Sequence, residues 1–174
     1  MTWSLAEQVT RRHRPMGDMA RQFLVIDTNI ALDLLVFDDP ACDSLRHGLS
    51  GGALGWLASA AMREELRRVL AYPQIARRLQ ARDRDALAVL ADWDAWVQLV
   101  PEAPRAPYRC KDEDDQKFVD LAVAHRAALL SKDKAVLCMT RRLARLGVPV
   151  ARALVPIALS TVSTDAGRPP VSTT

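Results

Sequence analysis

The chain has 174 residues and a mass of 19.3 kDa, with 49% hydrophobic and 26% charged residues, a composition that fits one globular domain able to bury a core. A formal net charge of +3 and a pI near 9.0 are compatible with an anionic partner such as nucleic acid but too weak to establish one. Cys42, Cys110 and Cys138 are odd in number, widely spaced and without a Cys-x-x-Cys pair, which argues against a disulfide framework or structural zinc site and suits a reducing cytoplasm.

Residues 1–22 form an Arg-rich polar arm with Arg11, Arg12, His13 and Arg14. It lacks the apolar segment of a signal peptide, and no stretch of the chain reaches the roughly 18 apolar residues needed to span a membrane. The domain is expected over 23–159. It opens with Phe23 to Ile26, a short apolar run that ends abruptly in Asp27, Thr28 and Asn29, as a doubly buried strand ends at a polar edge. A helix near 39–49 and a strand near 53–57 follow. The next helix starts after Ser59, a plausible N-cap, and stops before Pro73. One or two helices between Ile75 and Trp96 lead to a strand at 97–100 and to a loop punctuated by Pro101, Pro104 and Pro107. An acidic helix over 114–125, a strand at 128–131, a helix from about 135 to 146 stopped by Gly147 and a strand around 148–151 complete the domain. Residues 160–174, rich in Ser, Thr and Pro, are expected to be a disordered tail. Alternation of strands and helices with right-handed crossovers predicts a three-layer α/β/α sandwich around a parallel sheet of about four to five strands.

In open parallel sheets, ligands bind at the carboxyl ends of the strands. Asp27 stands at one such end, and Ser131, Lys132 and Asp133 at another. On the helix after Ser59 the apolar stripe is Met62, Leu66, Val69 and Leu70. At roughly 100° per residue, Glu65 lies roughly 90° from its centre and Glu64 roughly 170° away, so Glu65 borders the core and Glu64 faces water. On the acidic helix, Phe118, Val119, Ala122 and Val123 define the buried face, and Asp115 in the first turn points along it. Taken singly, Asp115 is a partner for the helix dipole and Glu65 a helix-edge charge. Taken together, Asp27, Glu65, Asp115 and Asp133 would crowd like charges that resist ionising without a cation. Hard oxygen donors favour Mg²⁺ or Mn²⁺.

Other chemistries find little support. Trp93 and Trp96 at helical spacing beside Leu87 and Leu90 suit a core better than base stacking. The three histidines are scattered, which gives no basis for a Ser/His/Asp triad, and no Gly-rich phosphate loop of nucleotide-binding spacing occurs.

The ordered set VIDTNIAL, EELRRVLAYPQIARRL, KDEDDQKFVDLAVAHRAALLSKD and VPVARAL resembles the PIN-domain nucleases, in particular the toxin components of bacterial toxin–antitoxin pairs. The likeness covers most of 23–159. It implies a PIN-like fold, metal binding by Asp27, Glu65, Asp115 and Asp133, and polar support from Thr28, Asn29 and Ser131. It also implies Mg²⁺ or Mn²⁺, cleavage of single-stranded RNA, homodimers, a cytoplasmic setting, and inhibition by a cognate antitoxin covering the acidic site. Many relatives carry a further acid two residues after the last aspartate. Ala135 stands there in this chain, which points to a weaker second metal, with Asp112 as a substitute donor.

The reaction so implied is metal-dependent phosphodiester hydrolysis. Because an acidic pocket repels RNA, cations at its rim must hold the backbone. Lys111, Lys132, Lys134, Arg141, Arg142 and Arg145 are nearest in sequence, although each also suits a solvated surface. Two alternatives stand beside this reading. One is a catalytically degraded module that binds RNA or a partner, suggested by Ala135. The other is a HAD-like Mg²⁺-dependent phosphatase with Asp27 as nucleophile, disfavoured because Asn29 replaces the second acid of a DxD pair.

Overall fold

The computed structural model describes residues 21–154. The basic residues expected of the arm, Arg11 to Arg14, and the tail 160–174 lie outside the described residues. Strand β1, Gln22–Ile26, buries Leu24, Val25 and Ile26 but leaves Phe23 38% exposed, so only its second half is the doubly buried run expected from the sequence. It lies at the centre of a five-stranded sheet. Strands β2 (Leu54–Ala58), β3 (Val97–Leu99), β4 (Ala128–Leu130) and β5 (Val150–Ala151) complete it in the order β3-β2-β1-β4-β5. Every pairing is parallel, with Leu24 opposite Trp56 and Ile26 opposite Leu130. The expected α/β/α sandwich with a parallel sheet is therefore present, with helices on both sides.

The order of strands fixes where a ligand can sit. From β1 the chain moves outward through β2 to β3, then returns to the far side of β1 for β4 and β5. Right-handed crossovers require the helices of those two excursions to occupy opposite faces, so the loops after β1 and β4 diverge and leave a crevice between them. Asp27 and Ser131 immediately follow these two strands.

The helices bury the stripes that their spacing sets. In α3, Ala60–Leu70, Met62, Leu66 and Leu70 are buried four residues apart. Pro73 opens α4, Pro73–Gln80, where its missing N–H costs nothing. The Asp85 carboxylate caps α5, Ala86–Trp96, by accepting from the Ala88 amide at 2.8 Å. Trp93 of α5 meets Trp56 edge to face, with ring centroids 5.9 Å apart, so this tryptophan is core as expected.

Three segments differ from the sequence expectation. The stretch after Asp27 is helical, as α1, Thr28–Leu32, continued by a π-helical turn, Asp33–Phe37. The helix expected over 39–49 is a 3₁₀ turn, Pro40–Cys42, running into α2, Asp43–Ser50. The helix expected over 135–146 is two short ones, α7 (Lys134–Leu137) and α8 (Thr140–Ala144), and Gly147 follows in the left-handed conformation at φ 76°. The acidic helix, α6, is Gln116–His125. Among the described residues no helix is long and apolar enough to cross a membrane.

Candidate active site

The site begins where β1 ends. Asp27 is 2% exposed and caps α1, its Oδ1 accepting from the Ile30 amide at 2.9 Å. Its Oδ2 accepts from the Ser131 hydroxyl at 2.5 Å and the Lys132 amide at 3.2 Å, both from the end of β4. Burial pushes the carboxyl above its usual range, these hydrogen bonds work against that, and the Asp133 charge adds to it. Ser131 is fully buried and accepts from the Asp133 amide at 3.0 Å. Asp133 in turn caps α7 by accepting from the Ala135 amide at 2.6 Å. One hydroxyl thus ties the two strand ends together.

Glu65 is half-buried on α3, and Glu64 is exposed and paired with Arg67, as the helical wheel predicts. The Thr28 hydroxyl donates to Glu65 Oε1 at 2.5 Å, and the Lys117 ammonium forms an ion pair with its other oxygen. Lys117 is absent from the rim cations expected by sequence proximity. The signal available for it was its place beside Phe118 on the helix that carries Asp115. Its ammonium also lies 4.9 Å from the Phe118 ring centroid.

Asp115 occupies the N-cap position of α6 rather than its first turn. Its Oδ2 is fully buried and has no hydrogen-bond partner among the described residues. Burial raises its pKa to about 7, and the charges of Asp133, Asp112 and Asp27 push in the same direction against Lys117. A carboxyl raised first by burial and then by the company of other carboxylates fits a site for a divalent cation. Among the described residues, no three Asp, Glu, His or Cys side chains converge on one point closely enough to hold an ion as they stand. Instead, Lys117 and the donors to Asp27 compensate part of the charge.

Asp27, Thr28, Asn29, Glu65 and Asp115 line one open pocket of about 390 Å³, whose apolar wall includes Phe37, Tyr72 and Phe118. Asp133 and Asp112 act on it through their charges. Asp112 is exposed, held in its loop by accepting from the Asp114 amide at 2.9 Å. That loop is pinned by buried Gln116, which accepts from the Cys110 amide at 2.5 Å and donates to the Tyr108 carbonyl at 3.3 Å and to Asp120 at 2.6 Å. Asp120 also accepts from the Ala106 amide.

The expected rim cations divide. Lys111, Lys134 and Arg142 line a second groove of about 310 Å³, together with Arg109. Lys132 is drawn to Asp33 and Asp39, so its link to the acids is its backbone amide. Arg141 and Arg145 are exposed and outside the groove lining.

Residues 24–135 match the family model described as PIN domain. A chain of the crystal structure of VapBC2 from Rickettsia felis, bound to a DNA fragment from their promoter, is similar in fold with a TM-score of 0.50 at 10% identity. The match covers 75% of the present chain and 98% of that one. No curated protein matches.

Proposed function

The chain belongs to the PIN domain family, and from that premise we propose that it is a metal-dependent ribonuclease that hydrolyses single-stranded RNA as the toxin of a toxin–antitoxin pair. The observation that carries the proposal is Asp115, whose buried Oδ2 has no partner while three carboxylates help raise its pKa to about 7. Mg²⁺ or Mn²⁺ held by Asp27, Glu65, Asp115 and Asp133 would polarise the phosphoryl group, activate the attacking water and stabilise the leaving oxygen.

The residues divide the remaining work. Ser131 and the Lys132 amide fix the Asp27 carboxylate in one orientation, so it is set before substrate arrives. Thr28 orients Glu65, and Lys117 neutralises it. Asn29 is exposed at the mouth of the pocket, where its amide can meet substrate. With both oxygens of Asp27 engaged by three donors, it is poorly placed as the covalent nucleophile of a phosphatase. A cognate antitoxin covering the acidic pocket would block all of these groups at once. The VapBC2 structure supports that partner only through likeness of fold.

A second reading draws on the lack of three converging donors among the described residues and on Ala135, and makes the protein a module that binds RNA or a partner without cutting. One assay separates the two. Purified protein is incubated with labelled single-stranded RNA and Mn²⁺ or Mg²⁺, alongside EDTA and Asp27→Asn controls. The expected outcome is cleavage abolished by EDTA and reduced about 100-fold or more by Asp27→Asn, as befits loss of a metal ligand. RNA bound but never cut, across a broad panel, would select the binding module.

A further inference from the structure

We propose that the groove formed by Arg109, Lys111, Lys134 and Arg142 binds the sugar–phosphate backbone of single-stranded RNA where it leaves the acidic pocket. The inference rests on the ribonuclease reading above and gives the substrate a path. Four cationic side chains from two separate segments converge on one open groove of about 310 Å³. Its floor is Ala135, Cys138 and Met139, and among the described residues no carboxylate lines it. The contrast with the other arginine-rich hollow is informative. There Arg46, Arg82 and Arg84 donate to the carbonyls of Leu34, Leu35, Val36 and Phe37, and Asp38 and Asp92 take up further charge. Those guanidiniums are committed to the fold. In the groove, Arg109 has among the described residues only a 3.7 Å contact with Glu113, which Arg105 also engages. Arg142 lies 5.9 Å from the Tyr108 ring centroid, a contact that orients the guanidinium without neutralising it.

Position gives the groove its ligand. Lys134 follows Asp133 and Lys111 precedes Asp112, two of the three acids whose charges reach Asp115. A phosphodiester entering the acidic pocket meets repulsion, so attraction for the strand has to come from charge immediately alongside. The mixture of cations and small apolar floor residues suits phosphates and sugars. Aromatic platforms of the kind that stack bases are absent from the groove lining, so the contact is to the backbone and tolerant of sequence.

Cys138 in the floor offers a direct readout, being exposed while Cys42 and Cys110 are buried. The full chain, in EDTA to halt metal-dependent cleavage, is treated with N-ethylmaleimide with and without a single-stranded RNA oligomer. RNA is expected to slow alkylation of Cys138 several-fold, with protection fading as salt rises. In fluorescence anisotropy, Lys134→Glu/Arg142→Glu is expected to weaken RNA binding at least 10-fold with an unchanged melting curve. The footprint on the unmodified chain stands even if that variant folds poorly. If RNA binds yet leaves Cys138 alkylation unchanged, the groove proposal is wrong, and Mn²⁺-dependent cleavage by the same preparation would leave the nuclease reading intact. Protection without cleavage would instead keep the groove and remove the nuclease. Protection by an acidic peptide but not by RNA would assign the groove to a protein partner and overturn the proposal.

Discussion

Two aspartates lining one pocket show how environment sets a carboxylate's task. Asp27 is the more buried but accepts three hydrogen bonds, whereas Asp115 has a buried oxygen with none. The folded-state pKa of Asp115, about 7, lies above its unfolded value of 3.8. The folded chain therefore holds the extra proton. Relative to the ionised protein, the stability associated with that proton is fully present below the unfolded value and is lost as pH rises through about 7. In EDTA, thermal melts between about pH 5 and about pH 8 should show stability falling with pH, and Asp115→Asn should flatten that dependence. An unchanged slope in the variant would place the titration elsewhere, for example at a histidine. Lys117 is the complementary case. Its pairing with Glu65 is mostly shielded, with about a fifth of each side chain exposed. Lys117→Met should destabilise the metal-free protein by about 1–3 kcal/mol, with Mg²⁺ recovering part of the loss. A melt insensitive to both changes would mean that Lys117 does not compensate the acids. The choice of Glu65 over Glu64 was legible because helical periodicity alone decides it. The pairing with Lys117 was not, because it joins side chains of α3 and α6 that lie far apart in sequence and that only the tertiary fold brings together.

At the scale of elements, β1 and β4 were legible for one physical reason: a short apolar run that stops at Asp or Ser reads as a buried strand reaching its polar end. The segment Thr28–Phe37 was not. Its cluster Leu34, Leu35, Val36 and Phe37 has no clear helical period, and three distant arginines help fix its π-helical turn. Arg84 shows the dependence, donating to the Leu35 carbonyl at 2.9 Å while pairing with Asp92. Arg84→Ala should cost about 1–2 kcal/mol, discounted for its partial exposure, and should loosen the turn that carries Phe37 into the acidic pocket. Urea melts measure the first effect, and amide exchange over 33–37 the second. A stability loss with no change in exchange there would mean that the turn holds without its clamp. The split of the expected 135–146 helix was likewise hidden, because the apolar spacing runs through the break at Cys138 and Met139.

For the whole molecule, a net charge of +3 says little about nucleic acid, since the acids and the cations are separated in space. Asp27 and Asp133 stand at the carboxyl ends of β1 and β4, and Arg109, Lys111, Lys134 and Arg142 line a groove of their own whose lysines are next in sequence to Asp112 and Asp133. Affinity for RNA should therefore follow where a positive charge sits rather than how many the chain carries. Lys134→Gln and Arg126→Gln make the same change in net charge. Lys134 is in the groove, and Arg126 is exposed at the far end of α6, about 15 Å from Asp115 on the rise of a ten-residue helix. Removing one cation that touches a phosphate of a single strand should reduce the slope of log affinity against log salt by about 0.7. Lys134→Gln is expected to show that reduction and Arg126→Gln almost none, both read by anisotropy titrations across a salt series. Equal reductions in the two variants would mean that RNA senses only the overall field of the protein, and that the division of charge between pocket and groove has no part in binding.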